Sequence, residues 1–165
     1  MHTNALAHAY GDLLKAASAL TSATPLDERE RADTDWTLVH VALSDRLLAT
    51  AARDVLAGTS PLVDNSPAMD PAALSSLITS TTHEGRVDLV RRNGAEFLGL
   101  VRRTPEEAAA VPVRLRVFGR DGRHVADGET TWGELVRLRA EEHLPGHAAR
   151  LAGYVAAARN RSTRS

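Results

Sequence analysis

The 165-residue chain contains no cysteine, and this absence removes several kinds of chemistry at once. The chain has no disulfide framework, no thiolate ligand for zinc and no cysteine nucleophile. Any thiol chemistry therefore needs a thiol that arrives as a ligand. Lysine is nearly absent too, since Lys15 is the single lysine among 20 basic residues. Such an arginine bias is typical of a G+C-rich genome and indicates no site.

Long apolar runs and an excess of charge are also missing. No stretch approaches eighteen apolar residues, so no membrane-spanning helix is predicted. The net charge of −1 gives no basic footprint for nucleic acid. The first residues, Met1 to Asn4, lack the basic start and apolar segment of a signal peptide, and we therefore expect a cytoplasmic protein.

The composition is that of an ordinary globular domain, with 43% apolar and 25% charged residues. A chain of this length is expected to form one domain with a sizeable core. We place that single domain at residues 4–159 and expect a disordered polar tail at 160–165.

Hydrophobic residues recur at three- and four-residue spacing in four segments, which predicts four long helices. Between the last two helices Val113, Leu115 and Val117 alternate with polar residues before a Gly119–Gly122 turn, a pattern typical of a β-hairpin. The predicted fold class is mainly α, an antiparallel four-helix bundle with a small β-hairpin before the last helix. The long loops leave a crossover connection open. The predicted long helices are 4–22, 36–57 (capped by Thr34 or Asp35), 85–103 and 132–159, with a short helix at 71–79.

Three histidines are candidate metal ligands. His143 and His147 lie four residues apart on the last predicted helix, so both rings project from one face. His40 lies on another helix, which a bundle can bring to the same place. Three neutral imidazoles suit zinc or another borderline transition metal and leave positions for a substrate. The alternative is a chance pairing among seven histidines, with His40 bonded to a carbonyl group in the core.

Pro145 and Gly146 separate the two histidines of the last helix. Inside a helix, proline costs roughly 3 kcal/mol and glycine roughly 1 kcal/mol relative to alanine. Sequences break local rules in this way more often at functional or strained sites than elsewhere. A kink that only shapes packing is the alternative.

Four further residues are candidate substrate-binding groups. Arg139, Arg150 and Tyr154 lie on the face of the last helix that carries His143, and Ser44 lies one turn after His40. The two arginines are predicted to hold a substrate carboxylate, although solvated surface arginines are the alternative. Tyr154 is expected either to orient a substrate oxygen or simply to pack. No catalytic residue is predicted.

Two segments of the chain, Trp36–Arg46 (WTLVHVALSDR) and Glu142–Leu151 (EHLPGHAARL), resemble the DinB superfamily, which includes the N-terminal domain of mycothiol-dependent maleylpyruvate isomerase. The family pattern is a tryptophan opening the second helix, a histidine deeper in it, and H-x3-H in the last helix. The resemblance implies a four-helix bundle that binds a divalent metal, zinc or nickel, through three histidines.

The same resemblance implies transfer or isomerisation chemistry that uses a low-molecular-weight thiol such as mycothiol. The family histidine usually follows the tryptophan by about two turns, whereas His40 follows Trp36 by one. Alignment on the tryptophan therefore puts Ser44 in the ligand position, and alignment on the histidine puts His40 there. We prefer His40.

The sequence leaves three functions open. The first is a metal-dependent thiol S-transferase or isomerase acting on a small electrophilic molecule. The second is a non-catalytic metal- or small-molecule-binding bundle, with a homodimer as an open alternative. The third is a metal-assisted hydrolase, although Glu142 projects about 100° away from His143 on the helix and is badly placed as a base. The expected partner is a small-molecule substrate, with neither nucleic acid nor a membrane.

Overall fold

The computed structural model describes residues 2–163 as a mainly helical protein with a small three-stranded sheet, which confirms the predicted fold class at that level. Short 3₁₀ turns lie at Ser66–Ala68 and Glu106–Ala110, and a π-helical turn lies at Arg139–His143. The elements in chain order are α1 (Thr3–Ser18), α2 (Glu28–Leu56), β1 (Leu62–Asp64), α3 (Pro71–Ser80), α4 (His83–Arg103), β2 (Pro112–Phe118), β3 (His124–Thr131), α5 (Trp132–Leu138) and α6 (Leu144–Ser162).

One hydrophobic core joins α1, α2, α4 and the α5–α6 segment. Its centre contains Trp132, which meets the ring of Phe97 edge-on at 6.2 Å between centroids. The largest side chains buried in this core are those of Trp132, Phe97, Leu6, Leu13, Leu20, Leu38, Leu144 and Leu151.

The long helices do not alternate simply in direction. Arg86 at the start of α4 pairs with Asp35 near the start of α2, and Glu96 further along α4 pairs with Arg53 further along α2. The two helices therefore run parallel, and they are in extensive contact. The simple antiparallel arrangement does not hold for this pair, and the α2–α4 connection is the crossover that the long loop left open.

The α6 helix runs opposite to α2. Arg161 near the end of α6 pairs with Glu30 at the start of α2, at 2.6 Å. His143, just before α6 begins, meets His40 at mid-α2. This antiparallel pairing brings the middle of α2 against the start of α6.

Helix α2 starts eight residues earlier than predicted. Asp27 accepts a hydrogen bond from the Glu30 amide, and the Glu30 side chain accepts one from the Asp27 amide, which together form a capping box. The sequence predicts a loop here because the charged residues that follow the cap show no apolar residues at helical spacing. The correct cap is Asp27, not Thr34 or Asp35, and α2 is 29 residues long.

The sheet has one more strand than predicted. β2 and β3 pair antiparallel, and β1 adds to the other edge of β2 in parallel, with Val63 opposite Leu115. The three residues of β1 lie in a segment rich in turn formers, a composition that predicts a loop. This strand ties the α2–α3 connection to the sheet.

The last predicted helix is divided by the π-helical turn. Pro145 has no amide hydrogen, and in a regular helix its ring would press on the carbonyl group four residues back, at Glu141. The wider turn at Arg139–His143 lies directly before Leu144 and Pro145 and accommodates the proline. The helix continues to Ser162, past the predicted Arg159, and residues 164–165 of the predicted tail lie outside the described residues.

Across residues 2–163, every helix is too short or too polar to cross a lipid bilayer.

Candidate metal centre

The three histidines singled out in the sequence come together in the structure. One ring nitrogen from each of His40, His143 and His147 lies within 4.8 Å of the others. The Nε2 atoms of His40 and His143 are 3.2 Å apart. The centroids of the His143 and His147 rings are 4.6 Å apart, with the rings nearly perpendicular at 72°. The cluster is therefore compact enough to present three nitrogens to one point.

Hydrogen bonds define the protonation of two of the rings. Arg139 can only donate, and its Nη1 lies 2.6 Å from Nδ1 of His143, so this Nδ1 accepts. Neutral His143 then carries its proton on Nε2 and donates it to Nε2 of His40. His40 in turn carries its proton on Nδ1 and donates it to the carbonyl oxygen of Ala68, at 2.9 Å.

This chain of hydrogen bonds bears directly on metal binding. A histidine that binds a metal usually donates its other ring N–H to a carbonyl or carboxylate oxygen. His40 has that arrangement already, through Ala68. His143 acquires a free Nε2 lone pair only when its proton moves to Nδ1, which can then no longer accept the hydrogen bond from Arg139.

Burial keeps all three rings neutral. Removal from water lowers the pKa of His40 to about 4 and that of His147 to about 3, and the positive charge of Arg139 adds to both shifts. Burial and Arg139 likewise push the pKa of His143 far below its usual value. Neutral imidazole is the form that binds metal ions.

A buried polar network lies behind His143. Asp45 on α2 is 0% exposed and accepts hydrogen bonds from Arg139, at 2.5 Å, and from the Tyr10 hydroxyl, at 2.6 Å. Arg139 is 4% exposed and also donates to the carbonyl oxygen of Val41. Arg139 was expected to hold a substrate carboxylate. It holds the carboxylate of Asp45 instead, because the π-helical turn directs it into the core.

A mainly apolar cavity of about 290 Å³ borders the histidines on one side. His40, His143 and Ser44, the last a predicted substrate-binding residue, contribute to its wall. Most of the other lining residues come from α2, the sheet and α5 (Leu47, Leu48, Val63, Val117, Phe118, Leu135 and Leu138), and the rest are Asn65, Met69 and Arg139.

A second, charged groove of about 650 Å³ opens beside Trp36. The Trp36 ring stacks on His40 with 4.6 Å between centroids and an interplanar angle of 12°. Arg150 and Tyr154, both predicted as substrate-binding residues, line this groove and are absent from the lining of the apolar cavity. The predicted substrate residues are thus divided between two sides of the histidine cluster.

Comparison with known proteins gives no family for the chain. No family model, curated protein or solved structure matches it. Inferences about function therefore depend on the residues themselves.

Four residues of the site were missed in the sequence. Tyr10, Asp45 and Asp33 are single polar residues within helical patterns, and no local signal distinguishes them from surface groups. Arg120 is different, because the Gly119–Gly122 turn marks a hairpin tip. Only the tertiary structure shows that this tip carries Arg120 over the ring of Trp36, at 4.0 Å.

The cluster fits a divalent transition metal. The Nδ1 atom of His147 is buried and has no hydrogen-bond partner among residues 2–163. A buried polar atom without a partner is costly, and coordination of an ion is one way for a protein to satisfy it. Three neutral nitrogen donors are also a donor set typical of zinc and nickel.

Proposed function

We propose that this protein is a metal-dependent thiol S-transferase or isomerase with a DinB-like four-helix bundle, acting on a small electrophilic molecule. The observation that carries the proposal is the convergence of three neutral histidines, two of them buried and His143 half-buried, beside an apolar cavity. Three protein ligands with room for a further group are typical of catalytic metal sites, whereas structural zinc sites use four.

His40, His143 and His147 would hold the metal, zinc or nickel. When bound, such an ion lowers the pKa of a coordinated thiol and so supplies a nucleophile that a chain without cysteine lacks. The thiol would be a low-molecular-weight compound such as mycothiol.

The protein itself would position the ligands and the substrate and exclude water from the cavity. Arg139, itself held by Asp45, donates a hydrogen bond to Nδ1 of His143 and so fixes the orientation of that ring. Apolar side chains line most of the cavity wall, and Ser44 is one of the few groups there that can orient a substrate oxygen. In transfer, the S–H bond of the thiol would break, one S–C bond would form, and the proton would leave with the displaced group or go to the carbon next to the new bond. In isomerisation, the thiol would add across a double bond and leave again, so that the thiol is recovered and only the geometry of the double bond changes.

The charges near the site make hydrolysis a weaker candidate. Glu142, next to His143 in the sequence, is exposed and pairs with Arg137. Asp45 already accepts bonds from Arg139 and Tyr10. Within the described chain, no carboxylate joins the histidine cluster to act as a base.

The test is thiol consumption with a panel of small electrophiles, using untagged protein loaded with zinc or nickel. We expect turnover that a chelator abolishes, that metal restores, and that His147→Ala removes together with bound metal. His124→Ala is the matched control, because His124 lies on the exposed hairpin and pairs with Asp127. Full activity in chelator-treated protein would contradict the proposal. Stoichiometric metal binding without turnover would favour the non-catalytic bundle.

A further inference from the structure

The groove beside Trp36 has a surplus of positive charge. Arg29, Arg120 and Arg150 line it, and Asp33 is the one acidic residue in its lining. Partial burial raises the pKa of Asp33, but hydrogen bonds from Arg120 and Tyr154 outweigh it and keep the pKa below its usual value. Asp33 is therefore ionised, and two positive charges remain uncompensated within the groove.

Asp33 is bound as an external carboxylate would be. Arg120 contacts its Oδ1 at 2.7 Å, while Arg150 and the Tyr154 hydroxyl approach its Oδ2 at 3.6 Å and 2.9 Å. Two arginines and a hydroxyl group around one carboxylate form a typical recognition set for an oxyanion. Asp33 is only 13% exposed, whereas Arg120 and Arg150 are 52% and 42% exposed. The arginines thus have donor groups facing solvent.

Four separate elements line this groove, including α3 through Ile78. Arg29 and Trp36 belong to α2, and Arg150 to α6. Arg120 comes from the hairpin tip. In the described part of the chain, Arg29 makes no ion pair or side-chain hydrogen bond, so its charge is available to a ligand. A surface salt bridge needs one arginine and one carboxylate, whereas this groove contains three arginines and one carboxylate.

We propose that this groove binds a small dianion, such as a dicarboxylate or a phosphate group, between Arg29, Arg120 and Arg150. Asp33 orients the arginines and competes with the ligand for them. Trp36 and Tyr154 also line the site. Binding needs no metal at the histidines, so the proposal goes beyond the metal-dependent function above.

The position of the groove indicates its use. Trp36 lines the groove and stacks on His40, and Arg150 follows His147 by one turn. A ligand held here by its anionic end is adjacent to the histidine cluster, which the apolar cavity borders through His40 and His143. A substrate or thiol with a charged end and an apolar end matches this pair of cavities.

Trp36 provides a direct readout. The second tryptophan, Trp132, is fully buried in the core, so a ligand in the groove changes mainly the fluorescence of Trp36. The chelator-treated full chain and the zinc-loaded chain are titrated in parallel with succinate, with inorganic phosphate and with neutral succinamide, at constant ionic strength. We expect a saturable change with succinate or phosphate and none with succinamide, in both forms of the protein.

Substitutions separate specific binding from general charge. Arg120→Gln and Arg150→Gln should each weaken binding about tenfold, as expected for loss of one hydrogen bond between charged groups. Asp33→Asn should tighten binding several-fold, because it removes the internal competitor. The control is Arg53→Gln, since Arg53 is similarly exposed and pairs with Glu96 away from the groove. Circular dichroism of each variant checks folding.

The ratio of the affinities for succinate and phosphate distinguishes the two sources of a dianion. Absence of saturable binding in both the wild type and Asp33→Asn would overturn the proposal. Equal weakening by Arg53→Gln, or equal binding of succinamide, would also overturn it. If the metal-loaded wild type binds the dianion but turns over no thiol, the proposed function is refuted and the groove remains a binding site.

Discussion

The buried pair of Arg139 and Asp45 gives the sharpest test of the interior of the site. Substitution of Arg139 by methionine keeps a long flexible side chain but removes the guanidinium group. The Asp45 carboxylate then remains in a dry core with only the Tyr10 hydroxyl as a partner. Breaking a buried ion pair from one side costs about 3–5 kcal/mol. For a domain of this size, we expect the melting temperature to fall by about 10 °C.

The assay is urea unfolding of the chelator-treated protein, followed by circular dichroism near neutral pH. The double variant Asp45→Asn/Arg139→Met leaves no charge at this position, so it should be more stable than Arg139→Met alone. Such a cycle isolates the coupling between the two side chains. A loss below about 1 kcal/mol in Arg139→Met, or a double variant that is no more stable, would refute this account of the network.

The same variant has a second expected effect, which a merely structural role would not produce. Without Arg139, Nδ1 of His143 no longer accepts a bond from a cation, and the positive charge beside the three rings is removed. Both changes favour a bound cation. Zinc affinity measured by competition with a chelator should therefore rise although stability falls. Weaker zinc binding by folded Arg139→Met would show that Arg139 supports the metal site instead of competing with it.

Three further predictions concern stability. Folded-state pKa values of about 4 for His40 and about 3 for His147 lie below the usual 6.5, so the unfolded chain binds more protons between those limits. The free energy of unfolding of metal-free protein should therefore fall as pH drops from about 6.5 to about 4. Constant stability in urea titrations across this pH range would contradict the claim that these two rings are buried in the neutral form. Gly94→Ala should cost about 1–3 kcal/mol in urea unfolding, because its Cβ would lie 2.6 Å from the Tyr10 ring, and a neutral result would contradict that contact. Gly146→Ala should instead stabilise by up to about 1 kcal/mol in the same assay, since a Cβ there would have no described atom within 4 Å apart from its chain neighbours and the backbone of its own helix. A loss of stability would contradict the open space.

The sequence predicted the features that depend on local periodicity. The long helical segments and the alternation in β2 are properties of contiguous residues, and so are the His143–His147 spacing and the break at Pro145. The π-helical turn follows from that proline, although its position could be located only in the structure. The early start of α2 was missed because its cap at Asp27 opens a charged segment with no apolar stripe.

The features that sequence reasoning missed depend on contacts between distant segments. β1 is three residues long and is stabilised by pairing with β2, so its own residues carry little signal. The parallel direction of α2 and α4 follows from the crossover connection, which the long loop left open but which periodicity cannot decide. Arg139 illustrates the same limit, because helical spacing placed it beside His143 but gave no indication of Asp45 on its other side.

The central claim is that three histidines, with His40 as the third, form one metal site. The most direct test is zinc content per chain after untagged protein is dialysed against zinc and then against metal-free buffer. Wild type and Ser44→Ala should each retain one ion per chain, and His40→Ala should lose it. A wild type without bound zinc, or zinc that is lost in Ser44→Ala and retained in His40→Ala, would contradict the account.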